Sequence, residues 1–171
     1  MSKTLLIIDI QNDYFPEGKF PLWNTGVTLE NIEHAIEKAN AEKVPVIIIQ
    51  HIANSRLGVA PFFNAGTTGA EVCPRILAAA PQAPIIVKEF ADGFLHTTLE
   101  ETLAKLGTTE LFICGMMTQN CVTHTAISKS AEKYNVSILA DCCTTVSEMI
   151  HKIALNALST RVGLVSSSDA F

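Results

Sequence analysis

Six short apolar runs alternate with longer stretches of helical or irregular character, and this alternation restricts the fold more than any other feature of the chain. The runs cover residues 4–10, 44–50, 85–88, 111–116, 136–140 and 162–166. The first is almost continuous in Leu and Ile, which is how a strand covered on both faces reads. Between residues 28 and 42, Ile32, Ala35, Ile36 and Ala39 fall at i, i+3, i+4 and i+7 and trace one apolar stripe along a helix. Thr97-Thr98-Leu99-Glu100 has the pattern of a capping box, opening a helix that Gly107 ends. Further helices are predicted over 119–134 and 147–159. Strand and helix in strict alternation imply parallel strands joined by crossovers. The predicted fold class is therefore α/β: a three-layer α-β-α arrangement around a six-stranded, mostly parallel, Rossmann-like sheet, in a single domain spanning 1–171.

Composition narrows the function. Apolar residues make up 48% of the 171 and charged ones 17%, below the roughly 25% of an average soluble chain, which excludes disorder as the main state. Twelve Lys and Arg stand against 17 Asp and Glu, a formal charge of −5, with no basic run to neutralise a phosphate backbone; nucleic acid is excluded as a partner. The five cysteines, Cys73, Cys114, Cys121, Cys142 and Cys143, contain no C-x-x-C, so neither a disulfide framework nor a zinc ribbon is expected. With no apolar stretch near the ~20 residues that cross a bilayer, the chain is expected to be cytoplasmic and without a membrane partner.

In an open parallel sheet, ligands bind beyond the carboxyl ends of the strands, so polar residues where apolar runs stop carry the most information. Three qualify. Asp9 sits in the tail of the first run, where a dehydrated carboxylate needs a cation or a proton. Lys88 ends the third run and is the available cation, because a buried ammonium needs an anion in turn. Cys121 follows the fourth run in what reads as the first turn of a helix with Thr118 as its N-cap. Exposed N–H groups there would favour thiolate and could hold an oxyanion. Cys114, Cys142 and Cys143 read as packing residues. The segment 51–84 mixes Gly, Pro, Asn and Thr, with one brief helical candidate at 70–79, and is expected to cover the site. Gln11, Phe15, Trp23, Phe94 and Thr118 are the candidate substrate-binding residues. His51 reads as satisfying a loop carbonyl, with substrate binding the alternative; His124 and His151 fall on helices and receive no role.

These residues resemble the isochorismatase-like cysteine hydrolases, a family that includes nicotinamidases and other small-molecule amidases. The likeness rests on Ile8-Asp9-Ile10-Gln11-Asn12-Asp13, on Lys88, and on Gly115-Met116-Met117-Thr118-x-x-Cys121-Val122, and it spans nearly the whole chain. It implies an Asp9–Lys88–Cys121 triad and a non-proline cis peptide at Met116–Met117. It further implies an oxyanion hole from the N–H groups of Met117 and Cys121, and a homodimer or higher oligomer. The implied reaction is hydrolysis of a C–N bond through an acyl-thioester. A vinyl ether hydrolase and a non-catalytic metabolite-binding member are the alternatives. Nicotinamidases place an Asp and histidines after the second strand to hold a metal; Gln50-His51-Ile52-Ala53-Asn54 offers one His, so no metal, no cofactor and no nicotinamidase activity are expected.

Overall fold

The computed structural model describes residues 2–171. Strands β1 (Lys3–Ile8), β2 (Val46–His51), β3 (Ile85–Lys88), β4 (Glu110–Met116), β5 (Asn135–Thr144) and β6 (Gly163–Val165) form one sheet in the order β3-β2-β1-β4-β5-β6. Every neighbouring pair is parallel, so the sheet is wholly rather than mostly parallel. Helices α1 (Thr25–Ala41), α2 (Pro74–Ala79), α3 (Leu99–Lys105), α4 (Thr123–Ala126), α5 (Glu148–Leu158) and α6 (Ser167–Ala170) supply the outer layers. Leu5, Leu6, Ile7 and Ile8 of β1 have no exposed surface, which requires cover on both faces of the sheet. Each such burial stabilises the fold by about 1.5–3 kcal/mol.

The strand order reverses between β1 and β4, and ligand sites form at such reversals. Asp9 follows β1 and Cys121 follows β4. Gly115 makes their approach possible. Its register partner is Ile8, its φ is 126°, and a Cβ there would lie 2.0 Å from the Ile8 carbonyl oxygen.

Several boundaries differ from expectation. β1 ends at Ile8 rather than residue 10, because Asp9 turns the chain into the left-handed region (φ 54°). β5 runs on to Thr144, past a register shift opposite Ile113 and Gly115. The helix predicted over 119–134 is three short pieces: a π-type turn at Thr118–Val122, then α4, then a 3-10 turn at Lys129–Lys133. Nor does the capping box form. Thr98 is the N-cap without a side-chain bond, while Thr97 Oγ1 donates to the Gly93 carbonyl at 2.6 Å and Glu100 faces Ser130 and Lys133. Thr97 Oγ1 keeps one cap-like bond, accepting from the Leu99 N–H at 3.3 Å, but the tertiary fold draws Glu100 to Ser130 and Lys133, so the reciprocal half of the box is lost. The 51–84 segment holds 3-10 turns at Ser55–Leu57 and Thr68–Ala70 and then α2, which begins on Pro74 rather than at residue 70, with the proline at its tolerated first position.

Candidate active site

Asp9 lies one residue beyond β1. Its N–H donates to the Ile49 carbonyl (3.1 Å) and its own carbonyl accepts from the Gln11 N–H (3.0 Å), so both neighbours fix the left-handed kink that turns its carboxylate inward. Asp is among the few residues with a shape that tolerates this conformation. The carboxylate is fully buried; Oδ2 accepts from Lys88 Nζ at 3.0 Å, and Oδ1 has no hydrogen-bond partner among the described residues.

Lys88 closes β3 directly beside His51, its register partner on β2. An ammonium carries three donors. Here all three are directed: to Asp9 Oδ2 (3.0 Å), to His51 Nδ1 (2.9 Å) and to Cys121 Sγ (3.2 Å). Burial alone would push the ammonium's pKa down, but Asp9 and Cys121 outweigh it and hold Lys88 above its usual value.

Cys121 occupies the π-type turn and is almost fully buried. Burial and the Asp9 carboxylate raise its thiol well above the ordinary range, and the opposing pull of Lys88 does not cancel them. The enclosure thus opposes the thiolate that a first helical turn would favour. The physical reason is that the turn is enclosed rather than solvent-facing, and that the nearest carboxylate repels a second negative charge. Thr118 does not cap this turn; Met117 holds the N-cap position without a side-chain bond, and Thr118 Oγ1 instead meets His151 Nδ1 on α5 at 2.8 Å. The Met116–Met117 peptide is cis, and the Met117 N–H makes no hydrogen bond among the described residues.

His51 is brought into the site rather than to a loop carbonyl. Since Lys88 can only donate, Nδ1 must accept, which places the ring proton on Nε2 of a neutral imidazole. Burial and then the Lys88 charge lower its pKa, in keeping with that state. The same rule that singled out Lys88, a polar residue at a strand's carboxyl end, applies equally to His51.

Of the residues expected to bind substrate, Gln11 is fully buried, with its amide committed to the backbone of His51 and to Ala70. Phe15 is half-buried against the core. Trp23 lies at the surface with its ring 6.1 Å from that of His151. Phe94 is buried and stacks on Tyr134 at 6.3 Å, an arrangement that belongs to the core around α4. Residues that sequence reasoning passed over stand closer. Tyr14 is buried, and its phenol is held neutral by burial and by Asp9, Cys121 and Asp13. It packs on Phe63 at 4.5 Å, and Phe63 lies 5.9 Å from the His51 ring. Asp13 fastens this cover, accepting from the N–H groups of Phe63 (2.8 Å) and Lys19 (3.1 Å). Nothing in their spacing separates Tyr14 and Phe63 from the loop aromatics Phe15, Trp23 and Phe94, because the path of the folded loops brings them here.

Asp9, His51 and Cys121 each offer a donor atom within 4.8 Å of the others, a spacing that suits a metal ion. Lys88 Nζ already lies on all three, so a divalent cation would have to sit against an ammonium. The set does not fit a metal. A cavity of about 740 Å³, bordered by Arg56, Leu57, Val87, Phe90, Leu95 and His96, reaches Lys88 from the β3 side. No helix among the described residues is long and apolar enough to cross a membrane.

A family-wide profile for the isochorismatase domain matches residues 3–170. The isochorismatase family protein YddQ of Bacillus subtilis is 31% identical, with 100% of this chain and 99% of that one covered. Nicotinamidase 3 of Arabidopsis thaliana is 27% identical over 91% of this chain and 79% of its own. Among solved structures, an isochorismatase hydrolase from Oleispira antarctica superposes with a TM-score of 0.87 at 28% identity, covering 98% of this chain and 95% of that one.

Proposed function

This chain belongs to the isochorismatase family of hydrolases, and from that premise we propose that it is a cysteine-dependent hydrolase cleaving the C–N bond of a small amide through an acyl-thioester. The observation that carries this reading is the single Lys88 nitrogen bonded to both a buried carboxylate and a buried thiol. A nicotinamidase among the relatives supports C–N chemistry.

The resting thiol gives its proton to Asp9 as sulfur attacks the carbonyl carbon, so a C–S bond forms while the negative charge passes from carboxylate to developing oxyanion. Lys88 faces both partners and keeps the transfer from stranding a charge. The free Met117 N–H, with that of Cys121, receives the oxyanion. Asp9 then delivers the proton to the departing nitrogen, the C–N bond breaks, and the amine leaves. Water attacks the thioester with Asp9 as base, releasing the acid and restoring the thiol.

The test is the Cys121→Ala variant against a panel of small amides, including nicotinamide. Turnover of any amide hydrolysed by the wild type is expected to fall by at least about 10³-fold. Undiminished hydrolysis would overturn the reading.

A further inference from the structure

Lys88 has three protons to place, and the triad as described accounts for two of them. The third is held by His51 Nδ1 at 2.9 Å. His51 is itself held with unusual completeness. Gln11 Oε1 accepts from its N–H at 2.8 Å, Gln11 Nε2 donates to its carbonyl at 2.8 Å, and the ring lies against Phe63. Gln11 belongs to the same loop as Asp9, so one short segment fixes two of the three acceptors of the ammonium.

We infer that His51 is a positioning residue for Lys88: as a neutral acceptor it takes the third ammonium proton and so keeps the other two aimed at Asp9 and Cys121. This rests on the cysteine-hydrolase reading above and adds a fourth member to the site. Without the acceptor, the third N–H would be buried and unpaired, and the ammonium would turn to share it with the two groups it serves. Protonating the ring would have the same effect and would set an imidazolium against an ammonium. The ionisable groups around the ring are Lys88 and Glu89 on the β3 side, Asp9 beyond β1 and Cys121 on the π-type turn. The 55–70 loop adds only apolar Phe63. Two cations beside the carboxylate would hold its charge and oppose its service as a base. Acylation is therefore expected to fail on the acid side as His51 takes up a proton, at a pH below the ordinary histidine range.

Two measurements on the full-length protein test this. The first reads the ring directly: long-range 15N–1H NMR of His51 across about pH 6 to 8. The Nε2–H tautomer with an unprotonated Nδ1 is expected; an Nδ1–H tautomer, or an imidazolium at neutral pH, would overturn the inference whatever the enzyme does. The second reads acetylation of Cys121 by p-nitrophenyl acetate, in which the C–S bond forms and the C–O bond to p-nitrophenolate breaks, with the acetyl group located by peptide mass. His51→Phe keeps a ring against Phe63 but has no acceptor, and its acylation rate is expected to drop about 10- to 100-fold. His51→Asn offers an oxygen near the place of Nδ1 and is expected to stay within about 3-fold of wild type while losing the acid-side fall. Equal rates in His51→Phe and wild type would overturn the inference, as would equal losses in two folded variants. If the wild type is not acetylated at Cys121, the acyl-thioester reading fails instead, and the tautomer alone decides the role of His51.

Discussion

Gln11 closes on the backbone of His51 as a strand residue would, accepting from its N–H and donating to its carbonyl, each at 2.8 Å. A side chain here continues the pairing between the segment after β1 and the end of β2, past the point where β1 has ended. It also donates to the Ala70 carbonyl at 2.8 Å, tying the covering loop to the same point.

Replacing Gln11 with Leu removes all three bonds and leaves the His51 N–H and carbonyl unpaired, while the Ala70 carbonyl keeps Gln50 Nε2 at 2.9 Å. Stability should fall by about 2–4 kcal/mol in urea unfolding. Backbone amide exchange over residues 50–52 and 69–71 should accelerate with it. A loss below about 0.5 kcal/mol would mean that water replaces the amide without cost.

The Asp9–Lys88 pair is fully enclosed, with side-chain exposures of 1% and 0%. Lys88→Met strands a carboxylate away from water and should cost about 3–5 kcal/mol. Adding Asp9→Asn removes the stranded charge, so the double variant should recover roughly half of that loss or more. Strict additivity in a double-mutant cycle would show that the two groups do not interact.

Gly115→Ala is the small substitution expected to do most harm. Its Cβ would meet the Ile8 carbonyl oxygen at 2.0 Å, and φ of 126° is foreign to a residue with a side chain. Unfolding free energy should drop by at least about 3 kcal/mol, and residual folded protein should be inactive, because the shift falls next to Asp9. A well-folded, active variant would show that β1 and β4 can separate freely.

Alkaline pH should destabilise the protein. Burial pushes the Cys143 thiol up to about 12, and burial also raises Cys114 and Cys142. The native state keeps these protons while the unfolded chain releases them above about pH 8.5, so stability is intact below that value and declines as pH rises. Each thiol contributes a slope of about 1.4 kcal/mol per pH unit until its native pKa is reached. Cys143→Ala should make the decline between about pH 9 and 11 shallower by that amount; denaturation midpoints along the series measure it.

The strand-end rule points to Asp9, Lys88 and Cys121, which the structure brings together at the Lys88 nitrogen, because a charged or reactive residue at the end of an apolar run is visible without knowing its neighbours. His51 obeys the same rule, but what distinguishes it from a residue that satisfies a loop carbonyl is its place beside Lys88 in the β2–β3 register. The single helix expected over 119–134 breaks into pieces for a related reason. Its apolar spacing is helical, yet Thr123 Oγ1 and N–H both turn back to the Thr118 carbonyl, and the chain winds as a π-type turn before α4.

What the sequence determined by itself was the alternation of apolar runs with amphipathic stripes, and that alone requires a covered parallel sheet, because burial periodicity is a local property. The tertiary structure decided the rest: that Asp9 sits in a left-handed kink rather than in a strand, that the Cys121 thiol is enclosed beside a carboxylate, and that Lys88 has a third acceptor. Each depends on which groups from distant segments share one small volume without water, and the strength of a charge or a hydrogen bond follows from that enclosure.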